Sequence, residues 1–240
     1  MEGVISDLSL FGREHLLILT AVVAAAAACA AAARRPRGPG LALIRTLAVV
    51  LAANELVWYA YRLYLEGWRF PEGLPLALCD VMVWATVAAA LGLHVRVVEV
   101  AYYGGVGGSA MALATPDLWA PLLSYPTVTF FLSHALVVIV NATLTFGRVV
   151  QLDRRSWWRA FGALNGYTVA IGLFNVAFGT NYMFLCAKPA NPSLLDWFGP
   201  WPIYVVVSEV VALLVFVALW LPLRRAGQSS TCPHGPQARS

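Results

Sequence analysis

The chain has 240 residues, 60% of them apolar and 12% charged, with a mean hydropathy of +0.72. That balance excludes a soluble globular domain and describes an integral membrane protein. The net charge of +4 does not point to nucleic acid, because Lys and Arg flank apolar stretches instead of clustering beside aromatics on a soluble face.

Seven apolar stretches, at 15–33, 41–65, 74–94, 97–115, 126–146, 158–180 and 200–223, are bounded by Pro, Gly or charge and joined by short connections. They predict an all-α, polytopic bundle of seven transmembrane helices in one domain, residues 1–225, followed by a disordered cytoplasmic tail, 226–240. The first stretch contains the signal-like run AVVAAAAACAAAA, but acidic residues precede it and an Arg cluster follows, so it reads as a retained helix. His15 stands at its start and is placed to cap a cavity. The second carries Glu55 near its middle. The third begins LPLALCDVMVW, which sets Cys79 beside Asp80 in apolar sequence. In the fourth, Gly104, Gly108 and Ala112 recur every four residues, a spacing that lets helices approach closely. The fifth places Thr127, His134 and Asn141 at intervals of seven on one face. On the sixth, Asn165, Thr168, Gly172, Asn175 and Gly179 form one stripe expected to face inward. The seventh holds Glu209 ten residues in.

Twelve of the 16 Lys and Arg fall on one side of this arrangement, which predicts an outside N-terminus and a cytoplasmic C-terminus. The polar, non-repetitive segments ATPDLW, GTNYMFLC and GPWPIY then lie on the outer half, with Cys79, Asp80 and His134. Glu55 and Glu209 are intramembrane carboxylates that cost about 2.5–3.5 kcal/mol each unless they find partners or water. Together these features predict a polar cavity opening outward.

Each residue also has a plainer reading. Cys79 is read as a small buried apolar side chain or as half of a disulfide with Cys186, the other cysteine on the outer side. His134 is read as a packing residue, and the two glutamates as partners of Asn or Tyr. No CxxC or HExxH spacing supports a metal site.

The ordered segments FGREHLLIL, ELVW, LPLALCD, ATPDLW, FFLSHALVV, ALNGYTVAIGLFN, GTNYMFLCAKP and GPWPIY resemble the bacterial integral membrane proteins related to eukaryotic transmembrane protein 164, over nearly all of residues 11–223. The resemblance implies a cysteine-dependent phospholipid acyltransferase, in which a Cys near the start of the third helix and a His in the fifth move an acyl chain from a diacyl phospholipid to a lyso ether-phospholipid. Cys79 and His134 occupy those positions. The eukaryotic relatives have His directly after the Cys, where this chain has Asp80, so the Cys and His transfer better than the substrate does.

The expectation is therefore a multi-pass cell-membrane acyltransferase working through an acyl-cysteine, with Cys79 as nucleophile and His134 as general base and acid. Asp80, Asn175, Asn181, Tyr182, Glu55 and Glu209 are supporting candidates, and Arg69, Asp117 and Lys188 are candidates for headgroup contact. Membrane lipids are the partners, as acyl donor and lysolipid acceptor; no cofactor, metal or nucleic acid is expected, and nothing in the sequence sets the oligomeric state. The alternative is a proton- or cation-coupled transporter or ligand-binding protein using Glu55, Glu209 and His134.

Overall fold

The computed structural model describes residues 8–36, 38–189 and 193–226. All of the expected tail after Ala226 lies outside the described residues. Within them the chain is helical and contains no strand. Five helices are long and apolar enough to cross a membrane: α1 (Arg13–Ala33), α2 (Gly40–Glu66), α6 (Tyr125–Phe146), α7 (Ser156–Phe178) and α8 (Ile203–Ala226). The other two rods differ from plain spans. Helix α3 (Leu78–Gly92) has 15 residues, about 22 Å, against a hydrocarbon core of about 30 Å. The fourth rod is built from α4 (Val95–Val100), a π-helical turn (Ala101–Val106) and α5 (Gly107–Ala114) in succession.

Helix α6 is the axis. In its most apolar window 67% of residues are buried, against 11–28% in the other four long helices. Helices α1, α2 and α3 pack on it, α4 packs on α7, and α8 lies beside α7 and the short 3₁₀ segment Leu194–Phe198. Ala48, Ala89, Ala90 and Ala101 are fully buried around Ile44, Val98, Val140 and Leu144. Small residues belong there because lipid tails are as apolar as leucine, so helices associate in a bilayer through close packing instead of removal from water.

The π turn changes the expected packing seam. It adds a residue to one turn and rotates everything after it, so that the adjacent Tyr102 and Tyr103 are both fully buried. Their hydroxyls meet the Leu219 carbonyl at 3.0 Å and Ser156 Oγ at 2.8 Å. The tight glycines are accordingly not the i, i+4 set Gly104, Gly108 and Ala112. A Cβ on Gly104 would come within 2.7 Å of Met82 Sδ, on Gly105 within 3.0 Å of Val137 and on Gly107 within 3.1 Å of Val215, whereas at Gly108 nothing lies within 4 Å.

One end of the bundle is closed by an ionic cluster. The buried Glu99 carboxylate takes both an Nε hydrogen bond (3.0 Å) and an Nη2 hydrogen bond from Arg159, with Arg96 Nη1 at 3.0 Å. Arg159 Nη2 also reaches Asp153 Oδ1 at 2.7 Å. The other end carries the residues singled out above for chemistry.

Candidate functional site

Helix α3 starts at Leu78, four residues later than the apolar run. Pro75 has no N–H to give a helix, and the carbonyls of Leu74 and Leu76 accept the Tyr182 and Tyr167 hydroxyls at 2.9 and 2.7 Å. Ala77 becomes the helix cap and cannot supply a capping side chain. Cys79 is thus the second residue of α3, in the turn whose backbone N–H groups have no intrahelical acceptor. The Asp80 carboxyl, third in the helix, lies toward the Ala77 N–H.

A cavity of about 220 Å³ lies against this helix start, lined by Cys79, Asp80 and Val83 from α3, Glu55 and Trp58 from α2, Trp119, and a face of α6 from Pro126 to His134. Glu55 is 3% exposed and His134 8% exposed. Around the Glu55 carboxyl stand the Tyr59 and Ser133 hydroxyls and the Asp80 carboxyl. Trp84 Nε1 donates to the Tyr59 oxygen at 3.1 Å, and Asn54 Nδ2 donates to Ser133 Oγ at 2.7 Å. These bonds hold the hydroxyls that face Glu55.

His134 is defined by one bond. Its Nδ1 lies 2.7 Å from the Phe130 carbonyl; a carbonyl can only accept, so Nδ1 carries the proton and Nε2 keeps its lone pair. That Nε2 is buried and has no hydrogen-bond partner. The Phe130 ring packs against the imidazole at 4.3 Å and fixes its plane. A thiol and a bare imidazole nitrogen therefore share one cavity, the pairing used for nucleophilic acyl chemistry.

The remaining candidates are spread more widely. Asn175 is 1% exposed and fully engaged: its Nδ2 donates to Tyr182 O at 2.9 Å, and its Oδ1 accepts from Thr180 Oγ1 at 2.8 Å and Tyr182 N at 2.9 Å. Asn181, just beyond α7, does the same, donating to Ala187 O and accepting from the Cys186 and Ala187 N–H groups at 2.8–3.1 Å. These amides staple the loop after α7, and the Tyr182 hydroxyl carries that loop onto the α2–α3 connection at the Pro71 and Leu74 carbonyls. Burial there pushes the Tyr182 phenol above its usual range. None of the three lines the Cys79 cavity. Glu209 lies on α8, also apart from it, with a buried Oε2 that has no hydrogen-bond partner, so the carboxylate path from Glu55 through His134 is not continued to Glu209 by this cavity. Lys188 sits 3.8 Å from Asp196 and over the Tyr204 ring. Asp117 is exposed in the α5–α6 connection, two residues before Trp119. Arg69 lines a neighbouring cavity with Arg62.

His15 is fully buried but does not reach this cavity. It accepts the Phe11 N–H on Nδ1 at 3.0 Å and meets the Leu113 carbonyl through Nε2 at 2.7 Å, tying the start of α1 to the end of α5. Cys79 and Cys186 are both free thiols. Among the described residues no group of three His, Cys, Asp or Glu is placed to hold a metal ion.

Ser133 and Trp119, which line the cavity, and Tyr59, whose hydroxyl stands at the Glu55 carboxyl, were not singled out by the sequence. Glu55, Tyr59, Arg62 and Glu66 follow a 4-3-4 spacing, so a polar stripe on α2 was the available signal.

Residues 10–220 match the family model described as the TMEM164 family. No curated protein and no solved structure matches the chain.

Proposed function

The chain belongs to the TMEM164 family, and from the cavity that Cys79 shares with His134 we propose that it is a membrane-embedded acyltransferase that moves a fatty acyl chain between phospholipid and lysophospholipid. The unpartnered, buried Nε2 of His134, on a ring that lines the same cavity as the free Cys79 thiol, is the observation that carries the reading. A buried acceptor without a donor costs roughly 1–3 kcal/mol, and here a thiol or substrate hydroxyl supplies the missing proton.

In the first half-reaction His134 Nε2 takes the Cys79 proton as the sulfur bonds to the acyl carbonyl carbon. The tetrahedral intermediate then collapses, the C–O bond to the glycerol oxygen breaks, and the imidazolium returns its proton to that oxygen, releasing lysophospholipid and leaving a thioester on Cys79. In the second half, Nε2 takes the proton of an acceptor hydroxyl, the new C–O bond forms, the C–S bond breaks, and the proton goes to sulfur. Donors for the oxyanion come from the first turn of α3, whose N–H groups lack intrahelical acceptors. Asp80, facing the Ala77 N–H, positions that turn. The Leu76 and Leu74 carbonyls, in the connection before α3, take the Tyr167 and Tyr182 hydroxyls and keep the Cys79 end of α3 in place.

The test is intact-protein mass after incubation of the detergent-purified chain with diacyl phospholipids, beside Cys79→Ala. One acyl chain per protein, released by hydroxylamine and absent from Cys79→Ala, is expected, with transfer to a lysolipid falling at least ~10³-fold in that variant. No adduct and no turnover across lipid classes would overturn the reading.

A further inference from the structure

Beside the Cys79 cavity, a second cavity of about 190 Å³ is lined by Tyr59, Arg62, Glu66, Trp68, Arg69 and Gly73 among others. Tyr59 links the two: it lines this one, and its hydroxyl stands at the Glu55 carboxyl, which lines the other. We propose that the cavity framed by Arg62 and Arg69 binds the phosphodiester of the lipid whose acyl carbonyl is presented to Cys79.

Four observations place it. First, the cavity holds two guanidiniums against one carboxylate: Glu66 Oε2 bridges Arg62 Nη2 at 3.3 Å and Arg69 Nη1 at 3.5 Å. Both contacts are long for charge-assisted bonds, which run about 2.7–2.9 Å, so the pair is not spent on Glu66. A phosphodiester offers two oxygens to such donors. Second, the charge of Arg62 is felt at the Asp80 carboxyl, next to Cys79 in the chain, and at the Tyr182 hydroxyl. Along α2, Arg62 is seven residues from Glu55, about 10 Å. Third, the site is built by its own loop. Gly67 closes α2 at φ 72°, and a Cβ on Gly73 would come within 2.5 Å of the Arg69 carbonyl. The Tyr182 hydroxyl pins the same loop at Pro71 and Leu74. Fourth, Tyr64, Trp68 and Phe70 are exposed here, the aromatic belt that marks the headgroup level of a bilayer. A phosphate group belongs at that depth and an acyl ester just below it.

The proposal rests on the acyl-transfer reading for its choice of a glycerophospholipid, yet its test needs no turnover. The probe is an ether lysophosphatidylglycerol, which has no ester for Cys79 to attack; the control is an alkyl glucoside of the same chain length. Affinities for the full chain in detergent are compared for wild type, Arg62→Gln/Arg69→Gln and Glu66→Gln. Wild type is expected to bind the phosphodiester at least tenfold more tightly than the glucoside. The double variant should lose that margin while retaining the wild-type melting temperature, Glu66→Gln should widen it severalfold, and rising salt should narrow it. Millimolar inorganic phosphate should not displace the lipid; displacement would overturn the lipid assignment in favour of a free-phosphate site. Equal affinities for the two probes in wild type, or an unchanged margin in the double variant, would overturn the proposal even if Cys79 acylates. A kept margin with no acyl adduct would instead retire the acyl-transfer reading and leave the phosphate site standing.

Discussion

Two buried histidines show how differently this bundle uses the same side chain. His15, at the junction of α1 and α5, has a partner on each ring nitrogen. His134, in the middle of α6, has one on Nδ1 and none on Nε2. The carboxylates repeat the contrast. Glu99 is closed by Arg96 and Arg159, whereas Glu55 meets hydroxyls and a second carboxyl at the edge of a cavity. A group whose bonds are all made holds helices together; a group left open is available to something the fold does not contain.

The sharpest way to break that contrast is His134→Leu. The acyl-adduct rate should fall about 10²–10⁴-fold, while the melting temperature in detergent stays level or rises, because the substitution removes a buried acceptor with no partner. A fall in stability with retained turnover would show that His134 is packing and not chemistry.

Arg159→Ala should do the reverse. It leaves the buried Glu99 carboxylate facing only the half-exposed Arg96, and breaking such a pair is costly because the remaining charge stays out of water. The melting temperature should drop by roughly 5–15 °C, and the Cys79 adduct should still form in the protein that remains folded. His15→Phe follows the same logic on neutral groups. It strands the Phe11 N–H and the Leu113 carbonyl, a loss of about 1–3 kcal/mol or roughly 2–12 °C, again without touching the cavity. Should either variant silence Cys79 while folded, the two regions are coupled and the division between them fails.

Much of this arrangement was legible in the sequence, for identifiable reasons. The apolar lengths gave the helices, and seven-residue spacing put Thr127, His134 and Asn141 on the buried face of α6. The relation to transmembrane protein 164, read from ordered segments, agrees with the family match over residues 10–220. What stayed hidden depended on partners distant in the chain. Nothing local says that the Asn175 amide would be consumed by Thr180 and Tyr182, or that His15 would find Leu113, 98 positions away. The late start of α3 depends on the Tyr167 and Tyr182 hydroxyls, and the π turn moved the glycine contacts off the four-residue spacing. Arg62 was not singled out, because its surroundings include Asp80 from α3 as well as Glu66 of its own helix.

The smallest effect lies at the rim of the closed end. Asp153, in the α6–α7 connection, accepts from Arg159 Nη2 and from the Arg155 N–H, both at 2.7 Å. The Arg159 hydrogen bond holds its carboxyl below the usual value of 3.8. A carboxylate depressed by folding adds stability that is complete above that ordinary value and is lost as the pH falls through the lower folded one. The Asp153 contribution should therefore be constant around neutral pH and should decline below about pH 4, and Asp153→Asn should flatten that decline. Because the Asp153 side chain is 60% exposed, water and salt screen the pair, and the melting-temperature difference should stay within a degree or two and vanish at high ionic strength. A larger, salt-resistant difference would mean that Asp153 belongs to the buried ion network around Glu99, and that the closed end reaches further toward the surface than its geometry implies.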